Sequence, residues 1–311
     1  MKLDPQARAV LDILKQMDGP KLNEVPPEDA RQMFSALLDM VELADVPIGK
    51  VEDLVLPGPG GDIPVRIYTP VAAASDVLPV LVYYHGGGWV IGDLDTHDAL
   101  CRTLANESGA KVVAVDYRLA PEHPFPAAVE DAFAAVKWVE ANASKIGIDA
   151  NRIAVAGDSA GGNLAAIVAQ QAKAEKAPHI AFQMLIYPAT DATMDTPSRR
   201  EWANGYFLEG ELMDWFYAHY LGSRDAADPR VSPLKASSFE GLPPAYVITA
   251  GFDVLRDEGR AYAEALKKAG VAVEHVNYDG MIHGFFTMQK AFDEARAAVK
   301  TAAGKLRDAL A

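Results

Sequence analysis

Residues 153–164 read Ile-Ala-Val-Ala-Gly-Asp-Ser-Ala-Gly-Gly-Asn-Leu. A short apolar run passes through Gly-x-Ser-x-Gly directly into an Ala-rich helical pattern, and strand, tight turn and helix together are the context that gives this motif a catalytic meaning. Such a turn holds Ser159 in a strained conformation, with its Oγ exposed at the carboxyl end of the strand. Gly157 and Gly161 leave space for the turn and for the approach of the helix. We therefore interpret Ser159 as a nucleophile and not as part of a turn that merely packs well.

The rest of the chain alternates between apolar strand patterns and helical patterns. Strands are predicted at Val80–Tyr84, Val112–Val115, Ile153–Ala156, Phe182–Tyr187, Tyr246–Ala250 and Val271–Tyr278, and helices near 97–108, 126–143, 160–175, 257–269 and 288–308. Upstream of these, Val51–Leu56 and Ile63–Tyr68 flank a Pro/Gly turn and predict a hairpin. Apolar strands that alternate with helices predict a mostly parallel sheet that is covered on both faces.

Two segments interrupt this alternation. Residues 5–17 and a segment that follows Pro26–Pro27 show helical periodicity before the first strand, so they cannot be crossover helices of the sheet. Thr190–Asp228 is too long for a plain crossover and is rich in aromatic residues. Ligands bind at the carboxyl edge of such sheets. We expect the N-terminal helices to form either a lid or simple N-terminal packing, and the insertion to form its own small core with a few rings facing the pocket.

Composition limits the classes of partner and the compartment. The chain has 311 residues, of which 50% are hydrophobic, and a formal net charge of -14. Its length supports one large domain, or a domain with a small accessory piece. An acidic surface argues against nucleic acid and anionic membranes as partners. Charged residues from Lys2 to Lys15 interrupt any signal-peptide core, and the single cysteine, Cys101, fits a reducing compartment. We therefore expect a cytoplasmic protein without a membrane span, in which Cys101 is a small buried hydrophobe.

The nucleophile needs a base and an acid that orients the base. A serine hydroxyl becomes reactive when a histidine accepts its proton. His283 follows the last predicted strand, and Asp253 follows the strand at 246–250, so both are expected at the same sheet edge as Ser159. The chain order Ser, acid, His is the order found when the nucleophile lies on a strand–turn–helix motif. His275, which lies inside a strand pattern, and Asp257, near a helix start, are the rival candidates.

Attack on a carbonyl creates an oxyanion, which needs preorganised N–H donors. Ala160, directly after the nucleophile, offers one N–H group at the start of a helix. The run His85-Gly86-Gly87-Gly88-Trp89 follows the strand at 80–84 and offers others, because glycines leave the backbone uncovered. A glycine run alone is often only a flexible turn. Its position after a strand, one βαβ unit before the nucleophile, favours an oxyanion loop.

Five motifs now lie in order along the chain: HGGGW at 85–89, DYRLAPE at 116–122, GDSAGGN at 157–163, DVLRD at 253–257 and IHGF at 282–285. Together they resemble those of the hormone-sensitive-lipase-like carboxylesterases, the bacterial family IV of the α/β-hydrolase fold. The resemblance runs over nearly the whole chain and is strongest from Val51 onward. Val254 departs from the pattern, because many relatives have proline after the acid of the triad.

The resemblance implies a single α/β-hydrolase domain over residues 1–311. This domain would have a mostly parallel central sheet of about eight strands, helices on both faces, and a helical cap formed by 1–45 and 190–228. The implied reaction is hydrolysis of short- to medium-chain carboxylic esters without a cofactor. The implied residues are Ser159, Asp253 and His283 in the triad, Gly87, Gly88 and Ala160 in the oxyanion hole, and His85 and Gly86 in the loop motif.

Several alternatives stay open. Pocket walls are predicted at six rings: Phe34, Trp89, Phe207, Trp215, Phe285 and Phe286. The same nucleophile would serve an amidase, a lactonase or a deacetylase. Some plant hormone receptors resemble this family but lack the triad histidine, and His283 argues against such a non-catalytic binder. No His-Glu-x-x-His or paired-cysteine spacing indicates a metal site. The expected partner is a small ester, and a homodimer is plausible from the resemblance alone.

Overall fold

An eight-stranded sheet forms the centre of the computed structural model, which describes residues 1–17 and 19–311. Asp18, within the predicted cap segment 1–45, lies outside the described residues. Across the sheet the strands are β1 (Lys50–Gly58), β2 (Gly61–Thr69), β4 (Lys111–Val115), β3 (Leu78–Tyr84), β5 (Ile148–Asp158), β6 (Phe182–Ile186), β7 (Ala245–Phe252) and β8 (Val273–Ile282). β1 and β2 form the predicted antiparallel hairpin, β2 also pairs antiparallel with β4, and all other pairs are parallel. The predicted fold class is confirmed.

Different helices cover the two faces of this sheet. In chain order the helices are α1 (Pro5–Gln16), α2 (Pro27–Val41), α3 (Asp98–Ser108), α4 (Ala127–Ala141), α5 (Ala143–Ile146), α6 (Ala160–Glu175), α7 (Pro197–Glu201), α8 (Gly210–Leu221), α9 (Arg256–Lys268) and α10 (Asp293–Ala309). On β3, Val80 and Val82 join the core cluster that contains α4 and α6, whereas Leu81 and Tyr83 join the cluster that contains α3 and α10. This alternation follows the period of two of a strand that is buried on both faces.

The last helix starts later than its periodicity predicts, at Asp293 instead of near 288. Residues before it form turns, because the N–H groups of Ala291 and Phe292 both donate to Met288 O at 3.0 Å. Asp293 and Glu294 then occupy the first turn of α10. Acidic side chains at this position are stabilised by the positive end of the helix dipole. The apolar residues before Asp293 are buried in the core although they lie in turns. Their spacing in the sequence therefore resembles that of a helix.

The two N-terminal helices attach to different parts of the hydrolase body. α1 is attached to β8 through the N–H of Asp4, which donates to Gly280 O at 3.0 Å. Arg31 of α2 donates to Val90 O at 2.9 Å and forms an ion pair with Glu122 at 2.6 Å. Both N-terminal helices therefore dock on the carboxyl side of the sheet. In the part of the chain that the structure describes, no helix combines the length and the apolar character that a bilayer span requires.

Glu258 fastens the start of the insertion to α9. Its buried Oε1 accepts the N–H groups of Thr190 at 2.7 Å and Asp191 at 3.2 Å. Burial raises the pKa of Glu258 to about 8. When the pKa of a carboxyl group is higher in the folded chain than in the unfolded chain, the free energy of unfolding falls as pH rises from the lower pKa to the higher one. For Glu258 this window runs from about 4.5 to about 8.

We expect Glu258→Gln to remove this loss of stability. Glutamine keeps a carbonyl oxygen for both N–H donors and has no proton to lose. The Tm of the variant should exceed that of the wild type by several degrees at pH 8.5, and the gap should close toward pH 5. Thermal unfolding at three pH values measures this, with Glu264→Gln, an exposed position on the same helix, as the control. A gap that is equal at all three pH values would contradict the assignment.

Candidate active site

Ser159 lies on a sharp turn between β5 and α6. Its backbone has φ 56° and ψ -116°, a region that non-glycine residues rarely adopt. A Cβ on Gly157 would lie 2.3 Å from the carbonyl carbon of Gly161, and one on Gly161 would lie 1.8 Å from Tyr84 O. The sequence therefore needs glycine on both sides of the serine. The N–H of Ser159 donates to Ile186 O at 2.8 Å, which fixes the turn against the neighbouring strand.

Three side chains form a continuous hydrogen-bond chain from this turn. His283 Nε2 lies 2.9 Å from Ser159 Oγ, and His283 Nδ1 lies 2.7 Å from Asp253 Oδ2. Because a carboxylate only accepts, Nδ1–H donates to Asp253 and Nε2 is left free to accept the serine proton. Asp253 Oδ1 accepts the N–H of Leu255 at 2.8 Å, which holds the carboxylate in place. The three predicted residues are brought together from the ends of β5, β7 and β8.

The two rival candidates lie elsewhere. Asp257 accepts the N–H of Ser198 at 2.8 Å and pairs with Arg256 at 2.9 Å, so it connects α9 to α7. His275 Nε2 contacts Thr249 Oγ1 at 2.9 Å on the face of the sheet. Neither side chain contacts Ser159 among the hydrogen bonds of residues 1–17 and 19–311. Val254, which departs from the family pattern, is a buried core residue beside Asp253.

The glycine run after β3 forms a tight loop beside the serine. Gly87 has φ 117° and Gly88 has φ 59°. A Cβ on Gly87 would lie 2.1 Å from Ile91 O, and one on Gly88 would lie 2.1 Å from the ring of Phe216. No acceptor for the N–H groups of Gly87 and Gly88 occurs among residues 1–17 and 19–311. Both glycines line the same cavity as Ser159, with backbone donors that are not used inside the protein.

His85 supports this loop from behind. Its ring stacks on Tyr117 with centroids 4.3 Å apart, and the Tyr117 hydroxyl donates to His85 O at 2.7 Å. Burial lowers the pKa of His85 to about 4, so the ring is neutral at physiological pH. A neutral, stacked ring fits a structural contact and not a second base.

A cleft leads to Ser159 and His283, with about 570 Å³ of empty space when the open solvent at its mouth is included. Phe34 of α2 and Phe207 of the insertion line it, as the sequence predicts. Sequence reasoning missed other lining residues: Leu22, Leu38, Ile91, His97, Asp158, Leu208, Leu212, Phe216, Gly284 and Thr287. Leu212 and Phe216 are four residues apart on α8, and this helical spacing is the signal that could have found them. Apolar side chains from 1–45 and 190–228 thus face one cleft.

Four predicted wall residues do not line this cleft, which corrects the expectation for them. Trp89 is buried and stacks on Tyr220, with ring centroids 4.4 Å apart. Trp215 precedes Phe216 on α8, where adjacent side chains point about 100° apart, and of the two rings Phe216 lines the cleft. Phe285 and Phe286 are fully buried in the core under the site. They come after the turn at His283–Gly284, where the chain returns into the interior.

No cluster of three or more histidine, cysteine, aspartate or glutamate side chains that could hold a metal ion occurs in the described ranges 1–17 and 19–311. Cys101 is buried and unbonded, and burial raises the pKa of its thiol well above the usual value. A thiol of this kind is a poor nucleophile. Ser159 is therefore the nucleophile candidate with a base beside it.

Comparisons with known proteins agree with this geometry. The sequence model of a family described as alpha/beta hydrolase fold matches residues 81–287. The carboxylic ester hydrolase LipN of Mycobacterium tuberculosis is 50% identical over 245 residues, which are 76% of this chain and 65% of LipN, just under two thirds of that relative. Ethyl acetate hydrolase of Pseudomonas putida is 40% identical over 307 residues, 95% of either chain. The structure of ester-hydrolase EH1AB1 from the metagenome of Lake Arreo, complexed with a derivative of bipyridine phosphonate, matches with a TM-score of 0.96 and 44% identity over 98% of both chains.

Proposed function

The chain belongs to the hormone-sensitive-lipase-like carboxylesterases of the α/β-hydrolase fold, and we propose that it hydrolyses short- to medium-chain carboxylic esters through an acyl-enzyme on Ser159. The observation that carries the proposal is the hydrogen-bond chain from Ser159 through His283 to Asp253, with distances of 2.9 and 2.7 Å. A serine hydroxyl that is hydrogen-bonded to an imidazole nitrogen is poised for proton transfer.

The reaction proceeds in two acyl transfers. His283 Nε2 takes the Ser159 proton while Oγ attacks the ester carbonyl, and the resulting imidazolium is stabilised by Asp253. His283 then protonates the leaving alcohol, which leaves an ester between the acyl group and Ser159. Water enters, His283 accepts its proton, and collapse of the second tetrahedral intermediate releases the acid. Asp253 stays ionised throughout and holds the tautomer that both steps need.

We assign the oxyanion hole to the N–H groups of Gly87, Gly88 and Ala160. The two glycine N–H groups have no acceptor within residues 1–17 and 19–311, and both residues line the cleft with Ser159. Ala160 is the first residue of α6, and the first N–H groups of a helix lack partners inside that helix. Preorganised donors of this kind contribute most when the negative charge appears in the transition state.

We further assign residues 1–45 and 190–228 to a cap over one hydrolase domain. Phe34 and Leu38 come from the first segment, and Phe207, Leu212 and Phe216 come from the second. An exposed ion pair between Lys21 and Glu209 at 2.7 Å joins the two segments. The cleft between these two segments must hold both sides of the ester, and its apolar walls favour short and medium acyl groups.

A panel of p-nitrophenyl esters from acetate to palmitate tests the proposal, with p-nitroacetanilide and a γ-lactone as rival substrates. We expect kcat/KM to be highest for short or medium acyl chains and to fall toward palmitate. Hydrolysis of the anilide or the lactone at a higher kcat/KM than any ester would overturn the ester assignment. Binding of esters without turnover by the folded protein would favour a non-catalytic role.

We expect Phe216→Ala to shift the preferred acyl chain toward longer esters. The ring of Phe216 lies against Gly88, so its removal opens space directly beside the proposed oxyanion loop. Room for about two more methylene groups, at about 0.8 kcal/mol each, corresponds to roughly a tenfold rise in kcat/KM for octanoate relative to acetate. The ratio of kcat/KM between these two esters measures this.

Trp215→Ala is the matched control, because this neighbouring ring on α8 does not line the cleft. It should leave the octanoate-to-acetate ratio near the wild-type value. An equal shift in both variants would mean that loosening of the insertion, and not the space left by Phe216, sets chain length.

We also propose a cytoplasmic location and a small ester as the partner. The buried, unbonded thiol of Cys101 supports a reducing compartment. A homodimer is proposed from the family resemblance, and β8 leaves one edge of the sheet available for pairing. Light scattering at two protein concentrations measures the mass in solution, and a monomer at both would contradict the dimer.

A further inference from the structure

A buried pair of ionisable side chains packs against the proposed oxyanion loop and forms part of the cleft wall. Asp158 precedes the nucleophile, and His97 precedes α3; they are 5% and 2% exposed. His97 Nε2 lies 3.2 Å from Asp158 Oδ1. The same oxygen accepts the Tyr83 hydroxyl at 2.8 Å and the N–H of Gly86 at 2.9 Å. One carboxylate oxygen therefore connects the nucleophile turn, the glycine loop and the start of α3.

The loop rests on this carboxylate with no space between them. A Cβ on Gly86 would lie 2.3 Å from Asp158 Oδ2, so glycine at 86 is required by the acid itself. The hydrogen bond from Gly86 N fixes the peptide between His85 and Gly86, which is one peptide before the N–H of Gly87. Ser159 follows Asp158 in sequence, so the carboxylate sets the distance between the nucleophile turn and the loop that is proposed to bind the oxyanion.

The contact between the two side chains favours the charged form of each. Burial opposes ionisation of each, but the two charges facing each other, together with their shared hydrogen bond, outweigh it and hold the pKa of Asp158 below its usual value and that of His97 above it. A buried carboxylate without a cation would be strongly unfavourable. Replacing His97 therefore leaves Asp158 either uncompensated or protonated. In both cases the hydrogen bond from Gly86 N–H to its carboxyl group weakens.

Other ionisable groups face His97 from each neighbouring element. They are Tyr83 on β3, His85 in the loop, Glu42 at the end of α2 and Asp93 in the segment before α3. His85 is neutral and adds no charge. Burial raises the pKa of Glu42 to about 8, so this group gains its negative charge in mildly alkaline solution and then favours the His97 cation. Asp93 also favours the cation.

We propose that His97 is a positioning residue for ester hydrolysis: its imidazolium holds Asp158 in place, and Asp158 holds the glycine loop at the distance from Ser159 at which Gly87 and Gly88 can bind the oxyanion. This inference rests on the proposed function. His97 transfers no proton to substrate. Its effect is confined to the transition state, because the loop donors meet full negative charge only there.

The test compares His97→Phe, which keeps a ring but loses donor and charge, with His97→Gln, which keeps an N–H donor without charge. His275→Phe replaces a histidine that is remote from the site and serves as the control. For each protein, active sites are counted by stoichiometric release of p-nitrophenol from diethyl p-nitrophenyl phosphate. kcat and KM for p-nitrophenyl butyrate are then measured from pH 5 to 10, together with inhibition by a trifluoromethyl ketone, whose adduct with serine carries an oxyanion.

We expect His97→Phe to lower kcat per active site roughly 10- to 100-fold with KM within about threefold, since one misplaced oxyanion donor costs about 10²-fold or more. Affinity for the ketone should fall in parallel. His97→Gln should recover part of kcat at neutral pH. The wild type should lose kcat as pH rises through the raised pKa of His97, above the ordinary value of about 6.5, and this alkaline decline should be absent in His97→Gln.

Each contrary result is decisive. A His97→Phe protein with wild-type kcat and ketone affinity overturns the positioning role. An alkaline decline that persists in His97→Gln assigns the titration to another group and removes the role of the charge. If neither variant folds, Glu42→Gln decides, because loss of that acid should move the wild-type decline to lower pH, and an unmoved decline contradicts the proposal. A wild type that hydrolyses no ester would instead reject the proposed function, which separates the two failures.

Discussion

We expect Ser159→Ala to lower kcat for p-nitrophenyl butyrate by about 10⁶-fold. The structure gives the physical reason. Ser159 Oγ is the atom that His283 Nε2 contacts at 2.9 Å, and alanine offers the base no proton to accept and the carbonyl no nucleophile. The folded state should persist, because the strained backbone at φ 56° is held by the Ser159 N–H bond to Ile186 O and not by the hydroxyl. Burst kinetics of p-nitrophenol release measure both the rate and the acyl-enzyme.

Ser223→Ala, an exposed serine in the insertion, is the control and should keep the wild-type rate. Ser159→Ala should also lose the burst, since no acyl-enzyme can form. A residual rate of about 10³- to 10⁴-fold over water would fit substrate binding and the proposed oxyanion donors, which the substitution leaves in place. Retention of more than a few per cent of kcat would overturn the nucleophile assignment, because removal of an essential nucleophile cannot leave so much.

The backbone positions of the site could be predicted because each depends on a short stretch of sequence, either a glycine that a turn requires or a residue that follows a strand. Gly157 and Gly161 are dictated by a turn in which a Cβ would meet the backbone of Tyr84 or of Gly161. His283 and Asp253 could be placed at the same edge because each follows a strand of a parallel sheet, and carboxyl ends of parallel strands share an edge. Short-range patterns of this kind specify where a loop lies before any packing is known.

The walls of the cleft could not be predicted in the same way. Trp215 and Phe216 are both large aromatic residues, so the sequence does not distinguish them as wall residues. The rotation of α8 about its axis places Phe216 against Gly88. Trp89 lies beside the glycine loop in sequence, yet its ring turns away to stack on Tyr220 of the insertion. Side-chain direction depends on tertiary contacts between segments that are distant in sequence.

The pair of His97 and Asp158 illustrates the same limit for charged groups. Asp158 lies inside the recognised nucleophile motif, where the sequence gives it no separate role. Its partner is 61 positions upstream, as their numbers show, at the start of α3. Only the β3–β5 pairing and the glycine loop bring the two side chains together. Burial then requires that they be paired.

We expect Asp253→Asn to lower kcat by about 10⁴-fold and to leave the fold intact. Asparagine has nearly the same shape, and its carbonyl oxygen can still accept the N–H of Leu255. Its amide, however, would donate where the carboxylate accepts, so His283 would be driven to the tautomer that protonates Nε2. That nitrogen could no longer take the serine proton, and the imidazolium would lose its counter-charge. Steady-state kcat and KM on p-nitrophenyl butyrate measure the loss, and KM should change little.

Asp257→Asn is the matched control for this loop. Asp257 lies four positions further along the same segment, pairs with Arg256 at 2.9 Å and accepts the N–H of Ser198, so its loss should reduce stability modestly and leave kcat within about threefold. The opposite pattern, a near-normal Asp253→Asn and an inactive Asp257→Asn, would transfer the orienting role to Asp257. The direct bond of 2.7 Å from His283 Nδ1 to Asp253 Oδ2 is what makes the first pattern the expected one, because an acid can hold the tautomer only of the ring that it touches.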